Sequence, residues 1–337
     1  MNYRLFGHSG LRVSEISLGT MTFGEDWGWG SSREESRKIY DAYRDAGGNF
    51  LDTANVYTNG TSETLISEFT RGHRDEVVIA TKYTNAAGGK DPNAAGNHRK
   101  SMMRAVEASL KRLNTDYIDL YWLHVWDGLT PVEEVMRGFD DLVRQGKILY
   151  AGVSDPPAWW AAQANTMAEL RGWTRFAGLQ IEYSLAERTV ERELIPMAKA
   201  LNLGLVAWGP LAGGALTGKY SKGDAGDARY STEMMKPFLP SQARQERLVS
   251  AVRSVSEQTG RSMAQVALAW LRYREIPVIP IIGARKLPQL QDNLESLSVT
   301  LSAEQVALLN EASAIELGFP HEFYQRDLVK GLVHGGC

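Results

Sequence analysis

Short apolar runs alternate with longer amphipathic segments along most of the chain. Eight runs have the length and two-faced apolarity of buried strands: Ile16–Leu18, Asn49–Leu51, Val77–Ala80, Tyr117–Trp122, Tyr150–Gly152, Gly178–Ile181, Leu205–Ala207 and Pro277–Pro280. Helical period marks the segments between them, Arg33–Ala46, Ser62–Thr70, Arg99–Leu113, Val132–Arg144, Ala158–Leu170, Val190–Leu201, Ser241–Thr259 and Ser262–Tyr273. Strands apolar on both faces and separated by helices predict a parallel sheet with helices covering it. Eight such units favour a single closed (β/α)8 TIM barrel over an open sheet, and the G-x-G-x-x-G turn that opens many doubly wound sheets is absent.

Local signals set the boundaries. Thr130-Pro131-Val132-Glu133 reads as a helix start with Thr130 as N-cap, and glycine stops helices at Asp45-Ala46-Gly47-Gly48 and Arg144-Gln145-Gly146-Lys147. Residues 1–14 predict a hairpin, with Tyr3–Phe6 and Leu11–Val13 flanking Gly7–Gly10, placed to close the bottom of the barrel. Ser221–Pro240 is rich in Gly, Asp and Ser and reads as a mobile loop. From Leu301 a helix is expected to about Ala314, and the tail 315–337 is expected to be irregular chain carrying Phe319, Phe323 and Tyr324. That tail is placed to close over a substrate or to form an interface. The whole chain, 1–337, reads as one barrel domain.

Composition changes this picture little. With 43% hydrophobic and 23% charged residues the chain can fill one large core, and a net charge of −3 gives no reason to expect nucleic acid or a membrane as partner. The one cysteine, Cys337, allows no intramolecular disulfide and no thiolate metal cluster. Arg71–Glu76 is a mixed-charge turn, and the Asn59-Gly60-Thr61 sequon carries little weight beside an N-terminus without a signal-like apolar run. The expected location is the cytoplasm.

In a barrel the chemistry gathers at the C-terminal ends of the strands. The second predicted strand leads into Asp52 and Tyr57, the third ends at Lys82 and the fourth at His124. A tyrosine hydroxyl, with a pKa of about 10, is poorly matched to proton transfer near neutrality. A neighbouring ammonium stabilises the phenolate, a carboxylate holds the ammonium, and a histidine can orient a carbonyl. One His and one Asp are too few for a metal site, and no Ser or Cys nucleophile accompanies the histidine. What remains is proton donation to a carbonyl while something else supplies a hydride. Gly213–Lys219 fits G-x-x-x-x-G-K, but Tyr220 stands where a nucleotide hydrolase needs Ser or Thr; the glycines can still cradle a pyrophosphate after the seventh strand.

These residues resemble the aldo-keto reductase superfamily, as a bacterial member would, from Leu5 to about Leu309. Leu18–Gly24, Leu51–Tyr57, Ser109–Leu113 followed by Asp116–Tyr121, Gly146-Lys147, Gly152–Ser154, Gln180–Ser184 and Ile282–Arg285 follow the family's order. The resemblance implies a catalytic tetrad on Asp52, Tyr57, Lys82 and His124 and a nicotinamide cofactor bound without a Rossmann domain. It implies that Ser154 and Gln180 hold the carboxamide and that Tyr183 stacks on the ring. Gly19, Thr20, Met21 and Asp52 would also lie beside the cofactor. Trp208, Gly209, Pro210, Leu211, Ala212 and Gly214 would line the pyrophosphate, with Lys219 and Arg229 nearby. Gly283, Arg285, Gln289 and Asn293 would meet the adenosine phosphate. Arg285 at the 2′-phosphate favours NADPH over NADH, since a guanidinium suits a phosphate.

The chain also resembles the potassium-channel β subunits, which act mainly as cofactor-binding partners of a channel, but these typically carry Asn where His124 stands. The full tetrad favours an enzyme. Phe23, Trp27, Trp29 and Trp126, with Tyr57 and His124, predict an apolar pocket for a bulky or aromatic carbonyl among small-molecule substrates, while Trp159 and Trp160 are expected to pack a helix onto the barrel. Family members occur as monomers, dimers and octamers, so the resemblance allows a homo-oligomer without specifying one.

Overall fold

Eight parallel strands close into a barrel in the computed structural model, which describes residues 1–86, 91–218 and 242–335. In chain order they are β3 (Ser17–Gly19), β4 (Phe50–Asp52), β5 (Val78–Tyr83), β6 (Ile118–Leu123), β7 (Ile148–Ser154), β8 (Phe176–Glu182), β9 (Gly204–Trp208) and β10 (Val278–Gly283). Each pairs with its sequence neighbour, and β10 closes the ring on β3 through Ile281–Ser17, Ile282–Leu18 and Gly283–Gly19. All eight expected strands are present. Several run further toward their C-terminal ends than their apolar runs suggest: β5 continues through Thr81 and Lys82 to Tyr83, because backbone pairing with β6 continues where the side chains turn polar.

The expected hairpin is formed by β1 (Tyr3–Leu5) and β2 (Arg12–Ser14), paired antiparallel. It delivers Phe6 into the bottom of the barrel, edge-on to Phe50 and Trp122 at ring-centroid distances of 5.9 and 6.3 Å. Gly178 and Gly204 make room for it, since a Cβ on either would come within 2.4 and 2.7 Å of the Phe6 ring. Inside the staves, Phe50, Val78, Ala80, Leu120, Trp122, Val206 and Ile279 fill the lower barrel. A larger apolar layer, from Leu51 and Ile79 to Leu179 and Ile282, faces the helices.

Those helices are α1 (Arg33–Asp45), α2 (Thr61–Phe69), α3 (Arg99–Leu113), α4 (Val132–Arg144), α5 (Ala158–Arg171), α6 (Leu194–Ala200), α7 (Gln242–Thr259), α8 (Met263–Trp270) and α9 (Leu287–Glu295), followed by α10 (Ala303–Ala312), α11 (His321–Tyr324) and α12 (Asp327–Val333). Three expectations need correction. The N-cap position of α4 is Pro131; the Thr130 hydroxyl donates instead to Asp127 Oδ2 at 2.7 Å. α6 starts at Leu194 and not Val190, because Pro196 lacks an N–H and is tolerated only within a first turn. The tail is not irregular, since α11 and α12 occupy it, leaving Phe319, Tyr324, Leu328 and Leu332 exposed. The expected loop 221–240 lies outside the described residues.

Candidate active site

Strand alternation decides which residues reach the mouth. On β4 Phe50 and Asp52 point inward while Leu51 faces the helices, and on β5 Val78, Ala80 and Lys82 point inward. His124 continues the inward set of β6 after Leu120 and Trp122, and Ser154, Gln180 and Trp208 do so on β7, β8 and β9 by the same parity. The lower barrel is therefore apolar and its top layer polar.

Lys82 is fully buried, and its Nζ donates to Asp52 Oδ1, to Thr53 O at 2.8 Å and to Tyr57 Oη at 3.2 Å. Burial works to lower the Lys82 pKa, but the Asp52 carboxylate and Tyr57 outweigh it and the net shift is upward. The ammonium therefore keeps its charge inside the barrel. The other oxygen of Asp52 accepts from Gln180 Nε2 at 2.8 Å, which leaves Oε1 as the free end of that amide. The Tyr57 ring stands edge-on to His124 at 5.9 Å. Burial, with the nearby Lys82 charge, holds His124 well below the usual histidine range, so its imidazole is neutral. Asn85 Nδ2 lies 3.2 Å from His124 Nδ1; with the amide donating there, the ring proton sits on Nε2.

Sequence reasoning missed Asn85, Asn55 and Asp155. Asn55 Nδ2 donates to Asn85 O at 3.1 Å, so a short polar chain backs His124. Asp155 follows Ser154 with φ +48, and both its carboxylate oxygens accept from Trp208 Nε1 at 3.1 Å. The residue as a whole is exposed, yet its carboxyl is turned in against the strand ends, and burial pushes its pKa up to about 6. A positive φ at a non-glycine residue beside a strand end is visible only in the structure.

Several expected site residues lie elsewhere. Tyr183 does not reach the mouth: it is 1% exposed, donates to Glu191 Oε1 at 2.6 Å and packs on Trp270, because it is one residue out of phase with Gln180 and Glu182. The ring that faces the mouth is Trp208. Phe23 is buried, edge-on to Phe69 at 6.1 Å. Thr20 is buried too, its hydroxyl bonded to Asp52 O and Ser62 Oγ. Gly19 is required by packing, since a Cβ there would come within 2.6 Å of Ile281 Cγ2. Gln289 Oε1 accepts from Arg285 N at 2.9 Å and Lys286 N at 3.3 Å at the start of α9, while Asn293 is buried beneath Gly283 O. Met21 and Arg285 are half-buried near the two ends of that region.

Trp27, Trp29 and Trp126 flank the mouth, with Trp27 edge-on to Tyr57 at 6.5 Å. Trp160 packs as expected against Phe176, but Trp159 is 62% exposed and stands edge-on to Trp126 at 6.0 Å. The stretch after β9 is a glycine-rich turn: Gly209, Gly213 and Gly214 have φ of +63, +59 and +95, and Ala212 +48, while the N–H groups of Ala212 and Gly214 donate within the turn to Gly209 O and Leu211 O at 2.8 and 2.9 Å. Gly283 is open, with nothing within 4 Å of where a Cβ would stand. Lys219 and Arg229 lie outside the described residues. Among the described residues no group of three His, Cys, Asp or Glu is placed to hold a metal, and no helix is long and apolar enough to cross a membrane.

The model of the aldo/keto reductase family matches residues 15–314. Among curated proteins, a norsolorinic acid reductase of Emericella nidulans is 38% identical over 94% of this chain and 82% of its own length. An aryl-alcohol dehydrogenase [NADP(+)] of Phanerodontia chrysosporium is 38% identical over 96% of this chain and 89% of its own. A putative aryl-alcohol dehydrogenase of Saccharomyces cerevisiae is 38% identical, with 93% and 86% covered. These relatives are fungal, and the expectation of a bacterial member is not carried further. With a closed barrel, an Asp52–Lys82 pair buried beneath Tyr57 at its mouth and a family match across most of its length, the chain belongs to the aldo/keto reductase family, the oxidoreductases that interconvert carbonyls and alcohols with NADPH.

Proposed function

We propose that this chain reduces aryl aldehydes and ketones to alcohols with NADPH, and oxidises the alcohols in reverse, with Tyr57 as the proton donor. The observation that carries the reading is the Lys82 ammonium, held between Asp52 and Tyr57 next to a neutral His124. The aryl preference is supported by the tryptophans around the mouth and by the aryl-alcohol substrates named for the relatives.

When bound, the cofactor supplies a hydride to the carbonyl carbon. Tyr57 gives the proton from Oη to the carbonyl oxygen, and Lys82 Nζ, 3.2 Å away, meets the negative charge that then forms on Oη. Asp52 keeps Lys82 in place, and His124 offers its Nε2–H to orient the carbonyl. Ser154 Oγ and Gln180 Oε1 hold the carboxamide, and the Trp208–Ala212 turn with Gly214 cradles the pyrophosphate. Arg285, with Gly283, meets the 2′-phosphate, and Gln289 and Asn293 brace that segment.

Replacing Tyr57 by Phe tests the assignment. Turnover of an aryl aldehyde is expected to fall by roughly 100- to 10,000-fold, the range for a lost general acid. NADPH affinity should stay within about twofold. Full turnover in this variant would remove Tyr57 from the role.

A further inference from the structure

Trp27 sits on the loop of residues 20–32 between β3 and α1, and that loop is pinned on both sides. Toward the active site, Trp27 Nε1 donates to Asn59 Oδ1 at 3.4 Å, and Thr58 Oγ1 donates to Phe23 O at 2.7 Å. Toward the expected cofactor segment, Thr22 Oγ1 donates to Ala284 O at 2.8 Å and Ser31 Oγ to Arg285 O at 2.9 Å. Within the loop, Ser31 N donates to Thr22 O at 2.7 Å and Gly24 N to Ser31 O at 3.0 Å. The excursion that carries Trp27 and Trp29 is thus a closed, braced structure.

The partner on the Tyr57 side is unusual. Thr58 and Asn59, directly after Tyr57, have φ/ψ of 45/45° and 55/28°, and Gly60 follows at φ +95. Two successive non-glycine residues in the left-handed region cost stability, although Asn tolerates it better than most residues. The turn carries the Asn59 amide to the Trp27 indole. Trp27 is thereby held edge-on to Tyr57, interplanar angle 82°, and tilted on Trp29 at 5.7 Å. With the two rings 6.5 Å apart, a carbonyl that takes the Tyr57 proton can place a substituent beside this indole, where a flat ring gains aromatic contact that an alkyl chain does not.

We propose that Trp27 is the residue that selects aryl over alkyl carbonyls, and that Asn59 is the positioning residue that holds its indole against Tyr57. This rests on the aryl-carbonyl reading above.

The test measures kcat and KM for benzaldehyde and propanal with NADPH, in the wild type and in Trp27→Leu, Trp27→Phe, Asn59→Gly and Asn59→Asp. Asn59→Gly keeps the left-handed backbone and loses the acceptor, whereas Asn59→Asp keeps both. The wild type is expected to prefer benzaldehyde in kcat/KM. Trp27→Leu should shrink that preference by roughly 10- to 100-fold, the range for reshaping an apolar pocket, and Trp27→Phe should retain most of it. Asn59→Gly should raise the benzaldehyde KM several-fold with little change in kcat, and Asn59→Asp should restore it. A wild type without aryl preference would overturn the aryl reading and this inference together. A wild type with the preference, kept intact in Trp27→Leu, would overturn the role of Trp27 alone. Equal KM in Asn59→Gly and Asn59→Asp would overturn the role of Asn59.

Discussion

A lysine in the interior needs its charge met on every side, and Lys82 has that from Asp52, Thr53 and Tyr57. Removing it leaves the Asp52 carboxylate buried without its cation. Lys82→Met is expected to lose about 3–5 kcal/mol in urea unfolding, and Lys82→Met with Asp52→Asn to lose less than the single change. Equal or greater loss in the double variant would contradict the pairing. His124 makes a separate prediction through pH. Its folded-state pKa is lowered, so the unfolded chain binds the proton first as pH falls below about 6.5. Stability from the neutral imidazole is therefore present above pH 6.5 and lost progressively below it. His8 shifts in the same direction, so the comparison is by difference: His124→Gln should show a smaller fall in Tm from pH 7 to 5 than the wild type. An identical fall would contradict a buried neutral His124. At this scale the sequence made the catalytic candidates legible because they end three successive strands. It misled on Tyr183, Phe23 and Thr20, whose side chains turn away from the mouth, and it hid Asn85 and Asp155, whose roles depend on neighbours far along the chain.

The elements divide the labour between the two ends of the barrel. At the bottom, Phe6 arrives on the β1–β2 hairpin and occupies space that Gly178 and Gly204 leave for it. Phe6→Ala is expected to cost about 3–5 kcal/mol in denaturant unfolding, as for a buried aromatic removed from a packed interior. At a temperature where the variant stays folded, the KM for NADPH and aldehyde should be close to wild type, since the site lies at the other end. A large change in either KM would show that the two ends are coupled. The strands were legible from their apolar runs, and the hairpin from the glycines between two such runs. Cap detail was not: the Thr130 hydroxyl is taken by Asp127, a local contact three residues back that competes with capping. α11 and α12 escaped because helices this short carry too little period to read.

For the whole molecule, eight repeats of strand and helix set the architecture, and the closed barrel brings residues from all along the chain to one mouth. Arg285, at the end of β10, faces the same mouth region as the loop of residues 20–32 and is tied to it through Ser31. If Arg285 meets the 2′-phosphate, Arg285→Ala should weaken NADPH binding by roughly 10- to 100-fold, as for a lost charge-assisted hydrogen bond. NADH binding should change by less than about threefold. Parallel losses for both cofactors would assign the arginine to the shared part of the dinucleotide. The most direct test of the account is titration of the wild-type protein with NADPH and NADH separately, following the fluorescence of its nine tryptophans. Saturable quenching with clear preference for NADPH is expected, since the cofactor site proposed above includes Trp208 and the glycine turn after β9. Absence of binding by either cofactor would contradict it.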